Sequence, residues 1–184
     1  RTRHRIQRHF TEAERIEQMI AEMLDLSRIQ LQHKKKEDLS LNEFLEELFL
    51  DAAFEANEYS KTFIYPKLEE ININIYPELA YRAIENIIRN AIKYADTKIY
   101  VDVKIEADNI TLSISNDGPL IPKNELINIF RPFYRINESR ERETGGAGLG
   151  LSIAENAMLK HGGKIWADNL GNHVSMHLQF PRFN

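Results

Sequence analysis

The first 36 residues carry one narrow apolar seam. Ile6, Phe10, Ala13, Ile16, Ile20 and Met23 follow one another at steps of 4, 3, 3, 4 and 3, with charged residues between them and no Gly or Pro. That spacing predicts a single long helix with one apolar stripe. A lone helix cannot bury such a stripe. It calls for a partner helix, from another chain or from a segment outside this one, unless it packs on its own domain. Lys34-Lys35-Lys36 closes the segment, where cations suit a helix C-terminus better than they suit a nucleic-acid patch. The helical pattern is already running at Arg1, so the segment is expected to continue something longer.

Beyond residue 36 the period alternates between helix and strand. Ser40 is placed to cap an amphipathic helix bearing Phe44, Leu45, Leu48, Phe49, Ala52 and Ala53. Short strands are predicted over Thr62–Pro66 and Ile71–Tyr76. A second helix over Glu78–Ala95 buries Leu79, Ala83, Ile84, Ile87, Ile88, Ala91 and Ile92. Ile99–Ile105 and Ile110–Ser115 alternate like neighbouring strands joined through Ala107-Asp108-Asn109. Asn124–Ile129 reads as a short helix and Leu149–His161 as a third long one. Lys164–Ala167 and Val174–Phe180 close the chain as strands, with Trp166 and Phe180 in the core and His161 at a helix C-terminus. Phe130–Gly146 is polar, rich in arginine and too long for an ordinary connection, as lids and binding loops are. The short links predict mostly antiparallel strands, hence an α+β fold with helices on one face of a sheet.

Composition narrows the classes. The chain has 184 residues, with 24 Lys+Arg against 28 Asp+Glu, a net charge of −4. That length suits one domain with a helical extension. With no Cys, disulfide scaffolds, Cys-based zinc sites and Cys nucleophiles are excluded. The negative balance disfavours a general nucleic-acid binder, so no nucleic-acid partner is expected. No window approaches the roughly 18 apolar residues of a membrane span, and Arg1–Arg8 is followed by no signal-like apolar run.

Three clusters carry chemistry. Asn86, Asn90, Lys93 and Tyr94 stand at i, i+4, i+7 and i+8, on one side of a predicted helix. Two carboxamide oxygens suit a hard cation such as Mg²⁺, Lys93 a phosphate, and Tyr94 a base packed on its ring; a solvated helix face is the plain alternative. Ser115-Asn116-Asp117-Gly118-Pro119-Leu120 follows a strand, where a carboxylate before a tight turn suits a donor such as an adenine amino group, or simply makes an Asp-Gly turn. Gly145-Gly146-Ala147-Gly148-Leu149-Gly150-Leu151 opens straight into a helix. Bare backbone and a helix N-terminus together hold phosphate oxygens. It is neither a dinucleotide fingerprint nor a Walker A loop, since no strand precedes it and no Gly-Lys-Ser/Thr follows.

The order of these clusters resembles the asparagine, first glycine, phenylalanine and second glycine boxes of bacterial sensor histidine kinases of the envelope-stress type. Phe130-Arg-Pro-Phe133-Tyr134-Arg135 supplies the third of them. The resemblance implies a two-layer α/β sandwich of the gyrase/Hsp90/histidine kinase/MutL type with a long N-terminal helix. It implies that Asn86 and Asn90 lie on the Mg²⁺–phosphate side, Lys93 on phosphate and Tyr94 on the nucleotide's flank. Asp117 would take the adenine amino group and Gly118 the turn beneath it. Tyr134 and Arg135 would form the lid's base. Gly146, Gly148, Leu149, Gly150 and Leu151 would wrap the phosphates of ATP, with Arg140 and Arg142 in the lid as contacts for the transferred group.

The resemblance also implies a reaction and its partners. ATPases of the superfamily carry Glu at the position of Asn86. An amide takes no proton, so transfer is expected rather than hydrolysis. The γ-phosphate would pass to a His on a dimerising hairpin and then to the Asp of a response regulator. The six His here are followed by Arg, Phe, Lys, Gly, Val and Leu, none of them acidic, so the acceptor is expected to lie outside this chain. Residues 1–36 resemble the second hairpin helix, ending in Leu24-Asp25-Leu26-Ser27-Arg28, and 37–184 the catalytic domain. The fragment would be cytoplasmic, its full-length protein a homodimer in the bacterial inner membrane. With Asp117 as the first Asp of the family's Asp-x-Gly-x-Gly, the second Gly is displaced by Leu120; Ala147 stands where a polar residue is common. Both features favour the rival reading, a degenerate kinase-like scaffold that turns over no nucleotide.

Overall fold

A computed structural model of the chain describes residues 35–136 and 147–182, with helical positions scattered between 16 and 27. Strand β1 (Glu37–Ser40) leads into helix α1 (Leu41–Glu58), then β2 (Thr62–Ile64), β3 (Asn72–Ile75) and helix α2 (Pro77–Tyr94). Strands β4 (Lys98–Ile105) and β5 (Asn109–Asn116), a 3₁₀ turn (Asn128–Phe130), helix α3 (Gly150–His161), β6 (Lys164–Leu170) and β7 (His173–Pro181) complete the order. Five strands form one sheet in the order β2-β4-β5-β7-β6, and β1 pairs with β3 apart from it. β2 runs parallel to β4, with α2 in the crossover between them, and the remaining neighbours in the large sheet are antiparallel. The expected α+β layering therefore holds.

Register decides which side of the sheet becomes core. Ile110 stands opposite Phe180, Leu112 opposite Leu178 and Ile114 opposite Met176. All six are buried in one apolar cluster with Leu45, Phe49, Ile84, Ile87 and Met158 from the three helices. The period of two sends their neighbours to the other face. There Ser113 bonds His177 Nδ1 at 2.8 Å and Ser115 bonds Ser175 at 2.7 Å. Trp166 belongs to this outer face, not to the core expected for it. It stacks on His177, 4.8 Å between ring centroids, while Ile165 and Ala167 on either side turn toward the helices.

Two local expectations fail for physical reasons. Asn124–Ile129 is not an α-helix. Glu125 N–H closes a tight turn on Pro122 O, and Asn128 Nδ2 donates to Asn124 O at 3.1 Å, so side chains compete for the bonds a helix would make. β1 went unread because Ser40 is also a helix cap: its Oγ accepts from Glu43 N–H while its backbone pairs with Asn72.

His161 ends α3 as expected and also fastens it to α2. Its ring is buried, with Nδ1 against Ala157 O at 2.7 Å and Nε2 accepting from Tyr76 N–H at 3.0 Å. Only the neutral ring can do both. Burial pushes its pKa below 6.5, and nearby Lys36 pushes the same way, against the bond to Ala157. The unfolded chain therefore protonates first. The stability that the neutral ring confers is present above the ordinary His range and is lost as pH falls through it toward the folded value. Wild-type Tm should fall on going from about pH 7.5 to 5.5, and His161→Gln should flatten that slope while costing about 1–3 kcal/mol for the Tyr76 N–H left unpaired. An equally steep slope in the variant would assign the titration to another group.

Candidate functional site

Helix α2 organises the site. Pro77 starts it, Glu78 sits in its first turn and Lys93 in its last, as the helix dipole favours. Its buried side leaves a half-buried edge that carries Asn86 and Asn90. Asn86 Nδ2 donates to Arg82 O at 2.7 Å, which directs Oδ1 at the start of α3. A β-carbon on Gly150 would stand 2.7 Å from that oxygen, so only glycine lets the two meet. The first turn of α3 has no side-chain cap, and its N–H groups remain for an anion. Lys93 Nζ lies over the Tyr94 ring, 4.9 Å from its centroid.

The loop before α3 joins the phenylalanine-box segment. Gly148 takes φ +77°, and its carbonyl accepts from Phe133 N–H at 2.9 Å. Tyr134 donates its hydroxyl to Glu125, and that bond raises the phenol pKa. Leu149 is buried in the core and Leu151 half-buried, so Leu149 anchors the loop rather than facing a ligand. Arg135 is half-buried beside Tyr134.

The strand end holds the third cluster. Asp117 Oδ1 accepts from the backbone N–H groups of Asp96, Thr97 and Lys98 at 2.9, 2.9 and 3.0 Å, and Oδ2 from the Thr97 hydroxyl. Burial pushes its pKa up, but the bonds from Lys98, Thr97 and Asp96 outweigh it and hold the carboxyl well below the usual range. The carboxylate expected to face an adenine amino group is thus spent on the α2–β4 turn. Gly118 packs against the end of α2: a β-carbon there would stand 1.8 Å from Tyr94 O and 2.9 Å from Asn116 Nδ2. Asn116 ends β5 on its core side, between Ile99 and Val174, and is only 4% exposed. Its Nδ2 has no hydrogen-bond partner. Such an orphan costs about 1–3 kcal/mol.

The structure therefore brings the three clusters together. Asn86 meets Gly150, Tyr94 meets Gly118, and Gly148 meets Phe133 and Tyr134. Arg140, Arg142 and Gly146 lie outside the described residues. Leu120 is 48% exposed and so does not fill the site, and Ala147 is buried in the core cluster. Asn116, Thr97 and Glu125 were missed from sequence. One signal for Asn116 was a polar residue on the apolar phase of a strand.

Residues 76–182 match the model of the histidine kinase-, DNA gyrase B- and HSP90-like ATPases. The chain belongs to that family. It is a catalytic ATP-binding domain of the bacterial sensor histidine kinase type. It is similar to the sensor histidine kinase CpxA of Escherichia coli (strain K12), 38% identical over 168 residues, which covers 89% of this chain and 36% of that protein. The chain thus spans about a third of the curated relatives it matches first. A nucleotide-free catalytic domain of histidine kinase ThkA superposes with a TM-score of 0.71 at 26% identity, over 81% of this chain and 99% of that one. ThkA in complex with response regulator protein TrrA gives a TM-score of 0.75 at 23% identity, over 95% of this chain and 49% of that one, a likeness of fold.

The contact at Gly118 is testable. Gly118→Ala drives a β-carbon into backbone that cannot yield as a side-chain tip would. Urea unfolding should report a loss of about 1–3 kcal/mol. An unchanged midpoint would mean that the loop does not pack on α2 as described.

Proposed function

We propose that this chain is the phosphoryl-donor half of a sensor histidine kinase: it binds Mg²⁺–ATP and presents the γ-phosphate to a histidine outside residues 1–184. The observation that carries the reading is the meeting of Asn86 Oδ1 with the uncapped N-terminus of α3. A carboxamide oxygen beside free N–H groups suits a cation–phosphate pair: the oxygen ligates the metal and the N–H groups hold the anion. Asn86 and Asn90 would hold Mg²⁺ through their oxygens, and the metal would neutralise charge on the phosphates. Among the described residues no three His, Cys, Asp or Glu converge to hold an ion, so the metal would arrive with its nucleotide.

Each remaining residue has a place in this reading. Lys93 attracts phosphate, and Tyr94 flanks the base or ribose. Gly148 and Gly150 let backbone approach the phosphates, Gly146 would join them, and Tyr134 and Arg135 would form the base of the lid to which Arg140 and Arg142 are assigned. Asn86 accepts no proton, so bound water is not activated and the phosphoryl group waits for a better-placed nucleophile. Residues 1–36 would be the second helix of a dimerising hairpin, and 37–184 the catalytic unit. Ile16, Ile20 and Met23, three members of the predicted seam, are about half exposed at helical positions, which supports that assignment. Transfer onward to a response regulator, homodimerisation and anchoring of the full protein in the inner membrane belong to the same proposal. Among the described residues no helix is long and apolar enough to cross a membrane.

Calorimetry with a non-hydrolysable ATP analogue and Mg²⁺ tests it. Wild-type chain should bind. Asn90→Ala should bind at least about tenfold more weakly, with a melting curve close to wild type, as expected for a half-buried helix edge. Absence of heat from the wild type would remove the nucleotide reading. Unchanged affinity in the variant would remove Asn90 from it.

A further inference from the structure

Asn116 and Asp117 are neighbours with opposite fates. The carboxylate of Asp117 offers about four lone-pair sites. It already receives three backbone N–H groups and the Thr97 hydroxyl. It has little capacity left for a base. The Asn116 amide is 4% exposed, lies among apolar neighbours and has an Nδ2 with no partner. It adjoins Gly118, at the corner where the α2 C-terminus and the strand end close on each other. Buried donors find partners in nearly every protein. A donor without one, beside a residue whose bare backbone closes the candidate site, points to a ligand.

We propose that Asn116 is the group that reads the base, and that it reads both families of purine edge, amino and carbonyl. The inference rests on the nucleotide reading above and adds its specificity. A carboxylate at this place accepts only. It rewards an exocyclic amino group and repels a carbonyl oxygen. An amide carries one acceptor and one two-proton donor. Against adenine, Oδ1 accepts from the amino group while Nδ2 donates to the adjacent ring nitrogen. Turned over, the same amide donates from Nδ2 to a six-position carbonyl while Oδ1 accepts from the ring N–H. Both edges are satisfied, and neither meets a like partner. The two orientations fill the same space, so Ile99 and Val174 do not select between them. Asp117 is then a positioning residue. Its bonds to Asp96, Thr97 and Lys98 fix the strand end from which Asn116 projects.

Inosine triphosphate tests this edge alone, because it has the carbonyl and ring N–H of guanine without the second amino group. Affinities of the 184-residue chain for Mg²⁺–ATP and Mg²⁺–inosine triphosphate, read by calorimetry, should agree within about tenfold. Asn116→Asp should weaken inosine triphosphate at least about tenfold more than ATP, since the carboxylate faces a carbonyl there and still accepts from the adenine amino group. Asp117→Asn should weaken both nucleotides by the same factor, leaving their ratio unmoved. Should Asn116→Asp fold poorly by its thermal melt, the wild-type ratio still decides. A preference for ATP above about a hundredfold in the wild type overturns the proposal, because one amide edge cannot then be serving both bases. So does an unchanged ratio in a folded Asn116→Asp variant, or a ratio that moves in Asp117→Asn instead. ATP binding with strong rejection of inosine triphosphate would sink this inference and leave the nucleotide reading standing. Binding of neither would sink that reading and this one with it.

Discussion

The rest of the site depends on how helix α2 is pinned. Leu79, Ala80, Ala83, Ile84, Ile87, Ile88, Ala91 and Ile92 are all buried at 4% exposure or less. Residues advance about 100° per step around a helix, so that set admits one rotation about the axis and no other. The edge bearing Asn86 and Asn90 is a consequence of that rotation. Turning the helix far enough to hide either amide would bring part of the isoleucine stripe to the surface. The same helix ends at Tyr94, whose carbonyl bounds Gly118. One buried face thus places both the proposed phosphate end of the site, through Asn86, and the proposed base end, through Tyr94.

At the base end the geometry is held by backbone electrostatics. Successive N–H groups at a turn form a concave patch of positive potential. Residues 96–98 present such a patch, and the Asp117 carboxylate fills it. This joins the end of β5 to the start of β4 beyond the last ladder pair, Ile99 with Asn116. Period two then leaves Asn116 no choice of side. Since Ile110, Leu112 and Ile114 face the helices, Asn116 faces them as well. One strand end supplies an anchor and a buried, unpartnered amide from adjacent residues because adjacent residues point to opposite faces.

Most of this was legible in the chain where the periodicity was long. The apolar phase of α2 located its buried side, and two of the three site clusters follow from helix spacing and from glycine density alone. Short elements were less readable. β1 has four residues and shares Ser40 with a helix cap, so its pairing with β3 depends on a contact more than thirty residues away. The turn at 124–129 has helical composition but spends its polar side chains on its own backbone. Trp166 looked like core because it is large and apolar. Its place on the outer face follows from the phase of Ile165 and Ala167, and from His177 across the strand. At one position the structure shows bonds that the sequence did not suggest: Asp117 holds the turn at residues 96–98. Asp117 drew attention as the only acid of its cluster, although the family's Asp-x-Gly spacing, counted back from Gly118, falls on Asn116. No one-dimensional pattern shows that three backbone N–H groups have already claimed the carboxylate.

Taken along its length, the site presents three amides to its proposed ligand, and amides do not titrate. In the proposed site Asn86 and Asn90 would offer amides to the phosphates and Asn116 an amide to the base, while the Asp117 carboxylate is held ionised by the turn it anchors. A general base needs a pKa near the working pH, and none of these groups has one. A hydrolase could not be built from them without adding an acid. A donor domain can be, because phosphoryl transfer asks chiefly for position and charge neutralisation, and leaves the proton to the incoming nucleophile. The absence of proton chemistry among Asn86, Asn90 and Asn116 is therefore what lets such a site hold a reactive phosphate without discharging it to water.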